Sequence, residues 1–326
     1  MLKDTFGRIH NYLRISLTDN CNLRCFYCMP EEDYAFTPQQ QLMQADEIGQ
    51  LAQLFVEQGV TKIRLTGGEP LVRKDAPAII EKLAQLPVEL HMTTNGIRID
   101  DMLPQIVAAG FKSINISLDT LRPERFLQIT RRNYYARVRA NIDLLLQHAI
   151  PTKINMVVMK GVNDDEILDF VALTKDNPLE VRFIEFMPFS GNRWTSNQVL
   201  TYADILASVR TQYAVQPQSP GPNDTAKAFS IVGHQGRIAM ISTMSAPFCA
   251  GCNRIRLTAD GKLKNCLFSA HETDLLTSLR AGGDVLPLIH ENIRSKAQAL
   301  GGQLNENFEN IDTDFLKNRS MITIGG

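Results

Sequence analysis

An α/β protein, built as a partial, TIM-like (β/α)6 barrel with a smaller C-terminal domain, is what this sequence specifies on three grounds. Strand-like and helix-like runs alternate from the start of the chain to about residue 188, a pattern that gives a parallel sheet. The repeat occurs about six times, short of the eight units that close a (β/α)8 barrel. After Pro188 it gives way to a stretch over 190–235 rich in Gly, Pro, Ser, Asn and Gln. The division follows: residues 1–190 form the partial barrel and 191–326 form a second domain that covers its open side.

The strands read as Tyr12–Asp19, Lys62–Gly68, Glu89–Asn95, Ser113–Thr120, Thr152–Lys160 and Val181–Met187. Helical periodicity fills the gaps at Asp46–Gln58, Ala76–Gln85, Pro104–Ala109, Arg137–His148 and Asp165–Thr174. One face of these strands is polar by alternation: Arg14, Ser16 and Thr18; Arg64 and Thr66; Thr93 and Asn95; Asn115, Ser117 and Asp119; Lys153 and Asn155. Helices usually cover both faces of a parallel sheet, so polar strand residues suggest a lumen that holds a ligand, with a solvated face as the plainer alternative. In the second domain we expect a helix at Tyr202–Gln212 and strands at Arg237–Thr243, Arg254–Thr258 and Lys262–Cys266. Ala259-Asp260-Gly261 turns the last pair into a hairpin. Helices at Glu272–Ala281 and Asp284–Leu300 complete it.

Composition narrows the class. The 326 residues carry a net charge of -1, with 44% hydrophobic and 21% charged residues. No global field draws the chain to nucleic acid or a membrane, so an anionic ligand needs a local cluster of Lys and Arg. The opening MLKDTFGRIH holds no apolar stretch of the kind a signal peptide needs, so none is expected, and no apolar run is long enough to cross a bilayer. These features predict a cytoplasmic protein, as monomer or homodimer, with reduced thiols.

None of the six cysteines is isolated. Cys21, Cys25 and Cys28 form C-x3-C-x2-C, and Cys249, Cys252 and Cys266 form C-x2-C-x13-C. Buried core cysteines scatter, and disulfides are disfavoured in the cytosol. Structural zinc wants four ligands, and His271 is the residue that would complete such a site at the second triplet. A [4Fe–4S] cluster on three cysteines leaves one iron open, and two such clusters suggest two different ligands.

Cys21-Asn22-Leu23-Arg24-Cys25-Phe26-Tyr27-Cys28, followed after the second strand by Thr66-Gly67-Gly68-Glu69-Pro70, resembles the radical S-adenosylmethionine signature. The second triplet, in the setting Phe248 to Phe268 with Arg254-Ile255-Arg256, resembles the C-terminal cluster region of the GTP 3',8-cyclase family of molybdenum cofactor biosynthesis, as does the terminal Gly325-Gly326. The resemblance implies a barrel of radical S-adenosylmethionine type and two [4Fe–4S] clusters, the second in the C-terminal domain. Cys21, Cys25 and Cys28 hold the first cluster, and Tyr27, Gly68, Ser117 and Met187 contact S-adenosylmethionine. Arg14, Arg64, Thr93 and Lys153 contact GTP, joined by Arg254, Ile255 and Arg256 beside the second cluster on Cys249, Cys252 and Cys266. Arg254, Arg256, Gly325 and Gly326 are the catalytic candidates. Gly68 has a further physical reason, since a backbone that meets a ligand closely cannot carry a Cβ.

The chemistry implied is a 5'-deoxyadenosyl radical that takes hydrogen from C3' of the GTP ribose, attack of the carbon radical on guanine C8, and reduction to 3',8-cyclo-7,8-dihydro-GTP. Implied partners are a reductant such as flavodoxin or ferredoxin and a downstream cyclic pyranopterin monophosphate synthase. Asp119 and Glu185 receive no catalytic role, and Arg182 is left out of the site. Two rivals are a radical enzyme that modifies peptides and an iron- or redox-sensing regulator. The first generally uses more auxiliary cysteines, and the second wants a basic DNA-binding surface.

Overall fold

The computed structural model describes residues 1–31, 34–304, 307–311, 313 and 316–325. Six strands, β1 (Tyr12–Ser16), β2 (Lys62–Thr66), β3 (Glu89–Thr94), β4 (Ser113–Ser117), β5 (Thr152–Val158) and β6 (Glu180–Glu185), lie side by side in chain order. Between them run α1 (Ala45–Glu57), α2 (Ala76–Ala84), α3 (Ile99–Ala108), α4 (Pro123–Thr130), α5 (Tyr135–Gln147) and α6 (Ile167–Ala172). Each strand stops one to three residues before the sequence pattern does. The residues left over form the loops at the C-terminal ends of the strands, where parallel sheets place their ligands.

Residues after 190 extend this sheet at both edges. They form α7 (Tyr202–Arg210), β7 (Val215–Pro217), β8 (Lys227–Ile231), β9 (Arg237–Ile241), β10 (Arg254–Leu257), β11 (Lys262–Lys264), β12 (Thr273–Asp274), α8 (Leu276–Arg280), α9 (Leu286–Arg294) and α10 (Met321–Ile324). The sheet order is β12-β11-β10-β1-β2-β3-β4-β5-β6-β9-β8-β7. β10 pairs parallel with β1, and β9 pairs parallel with β6. Antiparallel hairpins then finish each edge. The row of neighbouring parallel strands thus reaches eight without closing into a ring.

Strand alternation separates the two faces. Leu13, Ile15, Ile63, Leu65, Met92, Ile114, Ile116, Ile154, Met156, Val181 and Phe183 enter one hydrophobic core with Ile48, Leu51, Ala52 and Phe55 of α1. The opposite face carries the polar series. Ser16, Arg64, Thr66, Asn95, Asn115, Asp119 and Arg256 on it are all buried, so this face looks into the molecule and not into solvent.

Some elements differ from expectation. α3 begins five residues ahead of Pro104 because Ile99 and Met102 are buried by packing, which outweighs the cost of an interior proline. α4 begins at Pro123, where the missing N–H costs nothing. α9 stops at Arg294, well before Leu300, whose φ is 49°. The expected helix at Glu272–Ala281 opens instead with the short strand β12.

Candidate active site

The two cysteine triplets sit at opposite ends of the parallel strands. Cys21, Cys25 and Cys28 follow the C-terminal end of β1. Cys252 lies just before the N-terminal end of β10, and Cys266 follows β11, which runs antiparallel to β10. The polar face of the sheet runs between them.

At the first end a cavity of about 200 Å³ is lined by Cys21, Cys25, Cys28, Tyr27, Gly67, Gly68, Thr93, Asn95, Ser117, Asp119, Asn155 and Met187. All four residues implied to touch S-adenosylmethionine therefore face one space with the triplet. The Tyr27 hydroxyl donates to Asp119 at 2.6 Å, and Asp119 also accepts from the Val157 amide at 2.9 Å. Burial lifts the Asp119 carboxyl to about 6 against these hydrogen bonds. Glu69 is spent on structure: it accepts from Leu71 N, Thr94 Oγ1 and Asn95 N at 3.0, 2.8 and 2.6 Å. It ties the turn after β2 to the end of β3, and burial raises its pKa to about 7.

Gly68 lines this cavity, and packing gives its missing side chain a further reason. A Cβ there would stand 2.5 Å from the carbonyl oxygens of both Asp19 and Asn20. The glycine lets the segment after β2 lie directly against the chain leading into Cys21.

A second, cationic cavity of about 440 Å³ opens at the N-terminal ends of the strands. Tyr12, Lys62, Arg64, His91, Lys153, Arg182 and Arg254 line it. Register builds it: Arg254, Tyr12 and Lys62 are neighbours across β10, β1 and β2, and Arg256, Arg14 and Arg64 are the next row inward. Glu180 answers part of this charge, pairing with Lys153 at 3.3 Å and with Arg182 and Arg237. Against burial, Arg182 and Lys153 pull the Glu180 carboxyl down to about 2. Burial, then the neighbouring Arg182, lowers the Lys153 ammonium to about 8. Burial and then Arg256 push the Arg14 guanidinium well below its usual range. The Tyr12 hydroxyl meets Arg64 Nε at 2.5 Å. Burial opposes its ionisation, but Arg64, Arg14 and Arg254 outweigh it and bring the pKa to about 7.

The second triplet lines a smaller cavity of about 70 Å³ with Phe248, Arg254, Arg256, Asn265 and Phe268. Arg254 lines this cavity and the cationic one, so the two meet at its side chain. Arg254 also lies 5.6 Å from the ring centres of Tyr12 and Phe248. Strand alternation turns the Ile255 side chain to the other face, fully buried in the main core, which leaves its backbone for the site.

The C-terminal segment enters between the triplets. Met321 and Ile322 of α10 line the first cavity, and Arg256 donates to the Gly325 carbonyl. At a φ of 84°, Gly325 has its missing Cβ position 2.6 Å from Thr66 Oγ1. Gly326 lies outside the described residues.

Tyr12 and Lys62, not singled out in the sequence, join the cationic cavity, as does Arg182, weighed with the GTP cations and left out. Asn95, named only in the polar series, reaches Cys21 Sγ at 3.8 Å. Arg182 had a signal, since it alternates with Glu180 and Ile184 on a strand whose other face is apolar. Thr93 lines the first cavity and also accepts from Arg64 at 3.4 Å. Glu185 accepts from the amides of Tyr202, Met244 and Ser245, a structural duty.

The donor sets fit iron–sulfur clusters. Among the described residues no three His, Cys, Asp or Glu side chains converge on a point suited to one metal ion; each triplet instead lines a cavity. His271 is exposed and stands away from the second cavity's lining. Burial raises Cys21 to about 11 and Cys28 to about 12 and pushes Cys25 well above its usual range, and burial followed by the partner thiols raises Cys249. Cys252 is lowered against burial by the neighbouring Lys296 and Arg254. The first set lacks a positive centre that would stabilise its thiolates. Buried polar atoms also lack partners: Asn155 Oδ1 in the first cavity and Arg254 Nε between the other two. Cavities lined by such atoms are places for a ligand.

Residues 15–174 match the family model described as Radical SAM superfamily, and residues 179–301 match Molybdenum Cofactor Synthesis C. The chain is 47% identical to "GTP 3',8-cyclase, mitochondrial" of Arabidopsis thaliana, covering 100% of this chain and 84% of the relative. It is also 47% identical to "Molybdenum cofactor biosynthesis protein 1" of Homo sapiens, covering 99% of this chain and spanning about half, 51%, of that longer protein. Streptococcus suis SuiB shares the fold, with a TM-score of 0.63 at 14% identity over 91% of this chain and 68% of SuiB. Similarity of this extent, over the barrel and the second cysteine region alike, shows that the chain belongs to the radical SAM superfamily and, within it, to the GTP 3',8-cyclase family.

Proposed function

We propose that this protein converts GTP to 3',8-cyclo-7,8-dihydro-GTP in molybdenum cofactor biosynthesis. The observation that carries the reading is the cationic cavity, which joins the second triplet's cavity at Arg254 while the first triplet lies at the far end of the same polar lumen. A nucleoside triphosphate suits such a space: phosphates for the cations at one end, a base for the cluster cavity, and the ribose directed along the lumen. A peptide substrate would not call for so many cations at one place.

Cys21, Cys25 and Cys28 would hold one [4Fe–4S] cluster, and Cys249, Cys252 and Cys266 the other. When bound, the first cluster and S-adenosylmethionine supply a one-electron cleavage that yields a 5'-deoxyadenosyl radical. The chain's own groups bind and orient around that chemistry. Tyr27, Gly68, Ser117 and Met187 seat S-adenosylmethionine. Arg64, Lys153, Lys62 and Arg254 hold phosphate oxygens, by paired donors where arginine is used. Arg14 and Arg256 stand one row deeper, where Arg256 also fixes the Gly325 carbonyl, and the segment ending at Gly325 limits access to the ribose. Residues 1–190 carry the radical-generating half and 191–326 the substrate-cluster half.

Among the described residues no helix is long and apolar enough to cross a membrane. We place the protein in the cytoplasm, reduced by a flavodoxin- or ferredoxin-like donor and passing its product to cyclic pyranopterin monophosphate synthase. The test is anaerobic: the reconstituted protein with S-adenosylmethionine and dithionite is followed for 5'-deoxyadenosine with and without GTP. GTP-dependent formation together with a guanine-derived product supports the reading. Formation indifferent to GTP removes GTP as substrate, and none from cluster-loaded protein removes the radical chemistry.

A further inference from the structure

Lys296, in the loop after α9, is buried at 3% exposure. Its Nζ donates to Sγ of Cys252 at 3.5 Å and to the Arg254 carbonyl at 3.0 Å. On its other side, at 3.5 Å, lies Nδ1 of the fully buried His10. Nε2 of His10 is 3.0 Å from a carboxylate oxygen of Asp4. An ionised carboxylate only accepts, so Nε2 carries the proton and Nδ1 turns its lone pair to the ammonium. Arg8 grips Asp4 with Nε at 2.5 Å and donates to the carbonyls of Cys249, Gln298 and Ala297 at 3.0, 2.7 and 2.8 Å. The first ten residues thus form a hook around the second triplet that aims one ammonium at one cysteine sulfur. At the first triplet the donors to Cys21 Sγ are neutral, the Leu23 amide at 3.4 Å and the Asn95 amide group at 3.8 Å.

We propose that Lys296, oriented by His10 and Asp4, is a positioning residue that raises the reduction potential of the cluster on Cys249, Cys252 and Cys266. The inference rests on the reading that this triplet holds an iron–sulfur cluster. Hydrogen bonds and charge at the ligating sulfurs set the potential of such clusters. An ammonium on the sulfur stabilises the form that has gained an electron, because that form carries one more negative charge.

The experiment is a redox titration of the anaerobically reconstituted full chain, parent against Lys296→Met. Dithionite is the reductant, and each cluster is followed by its electron paramagnetic resonance signal. The expected result is a lower midpoint for the second cluster. At a fixed ambient potential its reduced-to-oxidised ratio falls on the order of tenfold, while the first cluster keeps its midpoint as an internal reference. Lys296→Arg, which keeps a charged donor, restores the parent value. If Lys296→Met releases the cluster, Lys296→Gln reads the same quantity, since it keeps a donor but drops the charge, and its midpoint must also fall. Lys296→Met or Lys296→Gln holding the second cluster at an unchanged midpoint overturns the proposal. A parent protein that binds no second cluster overturns the reading beneath it.

Discussion

Single side chains, and single missing ones, decide most of the chemistry available here. Adding a Cβ at Gly68 drives it onto the carbonyls of Asp19 and Asn20, which pushes the chain leading to Cys21 out of place. Gly68→Ala should therefore lose the first cluster and keep the second, read as iron content and by the two spectroscopic signals. Arg254 makes the opposite kind of contribution, a charge placed where two cavities join. A charge-assisted hydrogen bond is worth about 1.5–3 kcal/mol. On that scale Arg254→Ala should weaken GTP about 10- to 100-fold and leave S-adenosylmethionine binding unchanged, checked by anaerobic titration calorimetry with each ligand.

Elements explain how the tail arrives at the site. Arg319 makes two hydrogen bonds to Asp260, at 2.9 and 2.8 Å, and pairs with Glu272 at 2.7 Å. Nearby, the fully buried Lys264 pairs with Glu272 and donates to Asn318 Oδ1 at 3.1 Å. This clip fastens the segment before α10 to the β10–β11 hairpin. Arg319→Ala should release it: cleavage by a protease in the last ten residues speeds up, product falls, and both clusters stay. Limited proteolysis followed by mass spectrometry checks this. At the same scale much of the architecture was legible in the sequence. The six strands, the polar alternation and the 259–261 turn all follow from local pattern. β7 and β8 did not, because Val215–Pro217 is too short and too exposed for alternation to register. Nor did the pairing of β10 with β1 and β9 with β6, since parallel neighbours distant in sequence leave no local mark. That pairing is what makes Arg254 a neighbour of Tyr12 and Arg256 a neighbour of Arg14. Arg64, Lys153 and Arg254 could be named from the sequence, but the cavity they form with Lys62 and Arg182 could not. Alternation also turns the Ile255 side chain into the core, so that a contact to a ligand there goes through its backbone.

For the whole molecule, the cationic cavity makes stability depend on pH in a definite direction. Glu180 is held at about 2 by the cations around it, against burial. A carboxylate depressed below its unfolded value contributes fully above about pH 4.5, and that contribution is lost as the pH falls toward 2. The shift corresponds to about 3 kcal/mol. Glu69 and Asp119 act with the opposite sign: their folded values, about 7 and about 6, are raised, so they weaken the fold at neutral pH and cease to do so as they protonate. Glu180→Gln should therefore flatten only the limb of the stability curve below pH 4.5. Urea unfolding across a pH series measures it.

The sheet order has a consequence for the time course of synthesis. β1 and β6 are the outer strands of the first six, and each waits for a parallel neighbour drawn from the second half of the chain. On the ribosome both edges stay unpaired until β9 and then β10 have emerged, more than fifty and about seventy residues after β6. Exposed edges of that kind recruit other strands. The nascent chain is thus most vulnerable to aggregation during the interval when its first six parallel strands are already complete in sequence. A chaperone that covers strand edges would act on it in that interval.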